Sequence, residues 1–427
     1  FGHFGYTLPD GATVIVGLPF VALSAALFWT DQTSRSHTTQ FAVLFAAASV
    51  LSLIVGIEIV NFPLDVRRSD MLPLIISANQ DVLSGINPYH WHADVGPFGL
   101  PLTYLPTLWL FYLPPVAAGL DPRLMNIAAH LSLLVTLYLA TRSRLTPAWW
   151  SFLLWMSLNP LLVLRHDIHM FPLWFGLALT LWCMVRERWS GAAVGWGLIA
   201  LMRSTTWILI PFYLLYILQT QGWRAAIKNA GITVFVSLSL LLPFLQSDPH
   251  AVYYGVIEFY QRVSRALPTA EWTQVAGWTT GFSFVPLLYR LGLVELSRVF
   301  QVIGVTLPLV VMIWRRPTLA ATLKLMSVAL AMFLLFNSLV WEYMYTPLLI
   351  LLIFVPLASQ EPSPPTGARS LGHFRSRRPG STRGPHHLAT LNSYSATSAC
   401  PPAVQSRRPS SLARRMAARH AVCRSVT

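Results

Sequence analysis

The sequence predicts an all-α protein, a polytopic transmembrane helical bundle of about 10–12 spans with a long polar loop that carries an interfacial helix. Three observations predict it. The 427 residues are 54% hydrophobic and only 11% charged, with a mean hydropathy of +0.54, whereas a soluble chain of this length carries roughly a quarter charged residues. Apolar stretches of the length needed to cross a hydrocarbon core with every backbone group paired recur along the chain. Aromatic residues with amphipathic rings, among them Trp149, Trp150, Trp189, Trp223 and Trp314, stand at the ends of these stretches, where the headgroup level suits them. Helix packing is an equally ordinary use for such rings.

In chain order the apolar stretches are Ala12 to Thr30, Gln40 to Val60, Leu100 to Leu120, Leu124 to Thr141, Pro147 to Leu164 and Ile168 to Val185. Gly191 to Leu218, Ile227 to Gln246, Ser297 to Trp314, Leu319 to Val340 and Tyr343 to Leu357 follow. Some are expected to break at Pro or Gly. Residues 1–358 form the membrane domain, interrupted by polar loops at 61–99 and 247–280.

The formal net charge of +14 invites a nucleic-acid reading, so its position matters. From Ser359 to the end there are 11 Arg and one acid, which leaves 19 Lys and Arg against 15 acids in the membrane domain. No basic face remains, and no nucleic-acid partner is expected. The segment 359–427, rich in Arg, Ser, Pro and Ala, is read as a disordered basic tail able to touch anionic lipid. Its abrupt onset after Leu357 also suits an out-of-frame extension of a GC-rich gene. The chain opens at Phe1, so no signal peptide is assigned. Three cysteines, Cys183, Cys400 and Cys423, show no metal spacing and support no disulfide framework.

Polar residues inside an apolar pattern are costly and therefore informative. They fall in three clusters. The loop from Asn61 to Gly99 holds Asp65, Arg67, Arg68, Asp70, Asp81, Asn87, Tyr89, His90, His92 and Asp94. Within it, Met71 to Ser84 has helical spacing of Leu72, Ile75, Ile76, Asn79, Val82 and Leu83, and Gly85 to Pro88 reads as a turn. The second cluster is Arg165-His166-Asp167-Ile168-His169, between two apolar stretches, where a short solvated loop is the plain alternative to a functional role. The third is Arg203 with Ser204, Thr205 and Thr206, inside the run from Gly191 to Leu218. A charge there must meet a partner, a cavity or the interface.

Several of these residues occur in a recognisable order. Ser69-Asp70-Met71-Leu72-Pro73 is followed by Gly85-Ile86-Asn87-Pro88-Tyr89 and then by Leu102-Thr103-Tyr104-Leu105-Pro106. This resembles the GT-C membrane glycosyltransferases, in the branch of polyprenyl-phosphate-mannose-dependent mannosyltransferases. That branch carries a catalytic Asp in its first large extracytoplasmic loop, a Gly-x-Asn/Asp-Pro/Leu-Tyr turn, and a Tyr-Pro-Pro-Leu-like start to the next span. Arg203-Ser204-Thr205-Thr206-Trp207 leading into Pro211 resembles the family's basic residue before a Pro-containing helix, and Trp341-Glu342-Tyr343-Met344-Tyr345 its late aromatic segment. In loose form the likeness covers Asn61 to Pro356. Two departures are Leu105 in place of the family's first Pro, and Arg203 where Lys is common. Arginine keeps the charge and can grip a phosphate through two nitrogens.

The resemblance implies sugar transfer, mannose foremost, from a polyprenyl-phosphate donor to a lipid or glycan acceptor in the bacterial plasma membrane. It implies no cofactor and no metal. Asp70 would be the base that takes the acceptor's proton, with Asp65 and Asp81 as alternatives; capping the following helix, or pairing with Arg67 or Arg68, is the structural reading of Asp70. Arg203, with Arg165 or His166 assisting, would hold the donor phosphate, and Asp167, Asn87, Tyr89 and Tyr104 would contact substrate. For Arg203 a structural ion pair, and for the Asn87-Pro88-Tyr89 turn a purely structural role, stay open.

If the Asp70 loop is extracytoplasmic and every stretch crosses, Arg142, Arg144, Arg186 and Arg188 also fall outside, against the positive-inside rule. Either one stretch is re-entrant, with Pro-rich Leu100 to Leu120 the first suspect, or the count is off by one. A transporter or flippase of a lipid-linked or small polar substrate is the competing function, since broken helices and buried charges suit one too.

Overall fold

The computed structural model describes residues 71–95, 99–141, 169–266, 283–337 and 342–359, with positions 49, 53, 56, 59 and 64 described singly. All lie in the first of two compact units, Phe1–Ser363. The described chain is mostly helical. Its one sheet among these residues is a two-residue bridge, β1 (Trp91–His92) against β2 (Leu100–Pro101), antiparallel.

Helix α1 (Met71–Leu83) occupies the loop that its periodicity marked, and it buries Leu72, Leu74, Ile75, Ala78 and Asn79. Its end is a Schellman motif. Gly85, at φ 75°, donates to the Val82 carbonyl at 3.0 Å, and Ile86 donates to that of Asp81 at 2.8 Å. Only glycine takes that left-handed position without a Cβ penalty.

Leu100 to Leu120 holds no spanning helix. It forms β2 and two five-residue helices, α2 (Pro106–Leu110) and α3 (Leu113–Ala117). Prolines at 106, 114 and 115 each occupy a first turn, where the missing N–H costs nothing.

Helix α4 (Arg123–Thr141) follows, and its first turn is anchored by Asp121, which accepts from the Arg123 backbone at 2.8 Å and pairs with its guanidinium at 2.6 Å. After it come α5 (Phe171–Val185), α6 (Trp189–Ala200), a 3-10 segment Ser204–Leu209, α7 (Ile210–Gln221) and α8 (Trp223–Ser247). The single long run expected over Gly191 to Leu218 is therefore two helices of 12 residues with a break at Leu201 to Arg203. The polar loop expected at 247–280 is helical where described. It forms α9 (Pro249–Tyr253), a π-helical turn Tyr254–Glu258 and α10 (Phe259–Ala266). Then come α11 (Val285–Arg290), α12 (Leu296–Arg315), α13 (Leu319–Leu335), a 3-10 segment Glu342–Tyr345 and α14 (Thr346–Ala358).

Three helices among the described residues are long and apolar enough to cross a membrane: Arg123–Ala140 within α4, then α8 and α12. On α8 and α12 most of the apolar surface faces outward, with Phe235 73% and Trp314 81% exposed. In water such faces would be a liability, and in lipid they are the solvent-facing side. The shorter apolar helices α5, α13 and α14 build the main core instead, around Trp174, Leu177, Trp196, Phe212, Leu330 and Phe354. A second core lies under α1, where Leu72, Ile75, Tyr89, Leu102, Trp109, Leu201 and Val252 meet. The expected stretches Ala12 to Thr30, Gln40 to Val60 and Pro147 to Leu164 fall outside the described residues, single positions apart.

Contact between α6 and α8 shows how apolar helices choose partners without a hydrophobic drive. Thr233 Oγ1 donates to the Ala193 carbonyl and Ser237 Oγ to that of Gly197, both at 3.0 Å. Each such bond is worth about 0.6 kcal/mol in a membrane, so steric fit matters more. A Cβ on Gly197 would come within 2.8 Å of the Thr233 carbonyl. Gly197→Leu is expected to lower stability by about 2 kcal/mol or more and to lower the unfolding midpoint in detergent, whereas Gly231→Leu, whose added atoms meet open space, should shift it far less.

Candidate functional site

The break after α6 is where the described structure departs furthest from regular helix in an apolar setting. Ending a helix there frees carbonyls that lipid cannot satisfy. The chain supplies their partners locally. Trp207 Nε1 donates to the Ala200 carbonyl at 2.7 Å and the backbone N–H of Thr107 at the start of α2 to that of Leu201 at 3.1 Å, while the Ile199 carbonyl accepts from the Met202 N–H at 2.9 Å. The single proton of Thr206 Oγ1 goes to the Arg203 carbonyl at 2.7 Å, with the Ile199 carbonyl farther off at 3.2 Å. Part of the polar cluster read at 203–206 is thus a cap for the break itself.

That cap leaves Arg203 extended, at φ −154° and ψ 133°, and projects it into a small cleft. Met170 and Leu173 from the start of α5, Thr205, Thr206 and Leu209 beyond the break, Leu330 of α13, and Met344 and Pro347 at the start of α14 line it. The guanidinium's polar neighbours are two thioethers, Met170 Sδ at 3.3 Å and Met344 Sδ at 3.6 Å. Sulfur is a weak acceptor. No carboxylate among the described residues pairs with Arg203, so a delocalised cation with a planar fork of N–H donors has only the two sulfurs as side-chain acceptors among them.

Beside it stands His169, 1% exposed, with neither ring nitrogen hydrogen-bonded among the described residues. Its ring lies 4.4 Å from that of Tyr104 and within electrostatic range of Arg203. A buried imidazole with both nitrogens free can donate to or accept from a ligand. Arg203, His169 and Tyr104 therefore form one constellation, closed by Met170 and Met344.

Asn87 and Tyr89 are placed differently. Asn87 Oδ1 accepts from the Tyr89 backbone at 3.2 Å, an Asx turn. The Tyr89 ring is 2% exposed, packs edge-on to Phe244, and its hydroxyl donates to the Tyr104 carbonyl at 2.9 Å. Burial pushes that phenol well above its ordinary value, against the hydrogen bond from Trp109, so it stays a donor at any physiological pH. Tyr89 thus fixes the backbone of Tyr104 rather than lining the cleft. Further along, burial lowers the His92 imidazole below its usual value, with the Pro88 carbonyl opposing, the neighbouring His90 adding, and Asp81 and Asp94 opposing.

Asp70, Asp65, Arg165, His166 and Asp167 lie outside the described residues. Asp70 directly precedes α1, and Asp167 lies two positions before His169. His169 was visible in the sequence as the last member of its ionisable cluster. The two methionines carried no sequence sign of their position. No protein-family model, curated protein or solved structure matches the chain.

A half-buried guanidinium with no carboxylate beside it among the described residues is a stability cost kept for another purpose. Arg203→Met should therefore leave the thermal unfolding midpoint in detergent unchanged or raise the stability by about 1 kcal/mol. A clear fall would identify a structural ion pair.

Proposed function

We propose that the chain is a multi-pass membrane glycosyltransferase of the bacterial plasma membrane, moving a sugar, mannose foremost, from a polyprenyl-phosphate donor to a lipid or glycan acceptor. The observation that carries this reading is the Arg203 guanidinium, whose donors, among the described residues, meet only sulfur in an apolar cleft. Fixed positive charge sheltered from water is what a departing lipid phosphate requires, because its value rises as the local dielectric falls. His169 stands beside it as a further hydrogen-bonding group. The motif order of Asp70, Asn87 to Tyr89, Tyr104, Arg203 and the 341–345 segment supports the same class.

In this mechanism the acceptor hydroxyl oxygen attacks the anomeric carbon while the bond from that carbon to the phosphate oxygen breaks. The hydroxyl proton passes to the Asp70 carboxylate. Both bonding electrons leave with the polyprenyl phosphate, whose added charge Arg203 neutralises, with Arg165 or His166 assisting. Tyr104, pinned by Tyr89, borders the sugar.

A helix broken beside a buried cation also suits a transporter of a lipid-linked substrate, and one assay separates the two. Membranes holding wild type, Asp70→Asn or Arg203→Met at matched levels are given radiolabelled polyprenyl-phosphate-mannose, and label in glycolipid is counted. Each variant is expected to lose at least about a hundredfold. Equal transfer by all three would remove both residues from the reaction, and donor translocation without transfer would establish the transporter.

A further inference from the structure

Away from the Arg203 cleft, three side chains of the first polar loop converge on one point. Asp81 sits in the last turn of α1, with Ser77 one turn earlier on the same face. His90 and His92, two residues apart in extended chain, present their rings on one side, stacked with centroids 4.3 Å apart. Asp81 Oδ2 lies 2.9 Å from His90 Nε2 and 3.7 Å from His92 Nδ1. One ligand atom from each of the three residues falls within 4.8 Å of the others.

The outer ring nitrogens are already engaged. His92 Nε2 is 2.9 Å from the Pro88 carbonyl and His90 Nδ1 is 3.2 Å from that of Trp91. A carbonyl only accepts, so His92 Nε2 carries its ring proton, and His90 Nδ1 can bond Trp91 only when it is protonated. On the inner side the Ser77 hydroxyl, 2.9 Å away, can donate to the His92 Nδ1 lone pair, whereas His90 Nε2 is turned toward Asp81 Oδ2, itself an acceptor. With one ring proton, His90 can serve one of its two acceptors and not both. A second ring proton would resolve the conflict by making His90 an imidazolium paired with Asp81, and a metal cation between Nε2 and Asp81 resolves it without that proton. Backbone carbonyls on the far nitrogens are also the usual means of fixing the tautomer of a metal-binding imidazole.

From this geometry we propose that Asp81, His90 and His92 bind a divalent transition metal of the zinc class, tying the His90–His92 strand to the end of α1. Four ligands about 2.0–2.1 Å from a tetrahedral zinc stand about 3.4 Å apart, and the two Asp81 distances bracket that value. The Ser77 hydroxyl, 2.9 Å from the same His92 Nδ1, or a water on the exposed His90 side, supplies the fourth ligand. The hard carboxylate and two imidazoles favour zinc over calcium or magnesium, which prefer all-oxygen shells. Metal here would brace the segment from Asn87 to Tyr89 that holds Tyr104, and it does not depend on the sugar-transfer reading.

The test uses the untagged full chain in detergent, stripped with chelator and titrated with Zn2+ or Co2+. One metal per chain is expected, with the visible bands of tetrahedral Co2+ and a zinc-dependent rise in unfolding midpoint. His90→Ala, whose ring is exposed and whose loss spares the core, and Asp81→Asn should each weaken binding by at least about tenfold and abolish the midpoint rise. Binding that persists unchanged in His90→Ala and Asp81→Asn, or no stoichiometric binding by wild type, overturns the proposal.

Discussion

The structure around the candidate site depends on one constraint: a helix that stops inside apolar surroundings must find partners for the carbonyls it releases. In water the break after α6 would need no device, since solvent would satisfy Ala200 and Leu201. Here Trp207 and the backbone of Thr107 do so. Once they are in place the chain can change direction, and α7 sets off with Pro211 in its first turn. The change of direction is what turns Arg203 away from the helix surface and into the cleft between α5, α13 and α14. A continuous helix over the same residues would have left that cation on a helix face among lipid or packed side chains, at much higher cost.

The same economy governs the loop before α2. Its turn at Gly85, its Asx turn at Asn87 and its buried Tyr89 satisfy their own backbone groups and deliver a rigid edge to the second core. Tyr89 holds Tyr104 through the Tyr104 carbonyl, and Tyr104 in turn faces His169 beside Arg203. Loop and cleft are thus joined by direct contacts among buried side chains. Close packing requires that each be placed well for the others to fit. The loop's polar residues divide accordingly: Asn79 and Tyr89 face the core and are hydrogen-bonded there, while Asp81 and His90 turn outward and meet one another.

How much of this was legible differs from residue to residue. Helix α1 was read correctly because its apolar spacing is local and its stop is written in Gly85. The departure of Leu100 to Leu120 from a spanning helix was marked by its prolines, since Pro106, Pro114 and Pro115 each favour a first helical turn over a helix interior. The break in Gly191 to Leu218 was not read as such. Its only sign was Arg203 and the hydroxyl residues after it, and those residues read equally well as a buried polar site until their hydrogen bonds to the end of α6 were seen. His169 was noticed with its cluster but given no role, because nothing local separates a solvated histidine from a buried one.

By itself the sequence determined the membrane character of the chain, the helical class, and the handful of polar residues that an apolar environment makes expensive. These follow from composition and short-range periodicity, which act within a few turns of chain. Only the tertiary structure decided which of those residues meet. Arg203 is brought against Met170 and Met344 across 33 and 141 positions, and Asp81 against His90 and His92 around a turn. Apolar helices of near-uniform composition carry almost no facing code in their hydrophobic pattern. Their partners are chosen by small residues such as Gly197, by side-chain hydrogen bonds such as that of Thr233, and by shape, which exist only once the helices are packed.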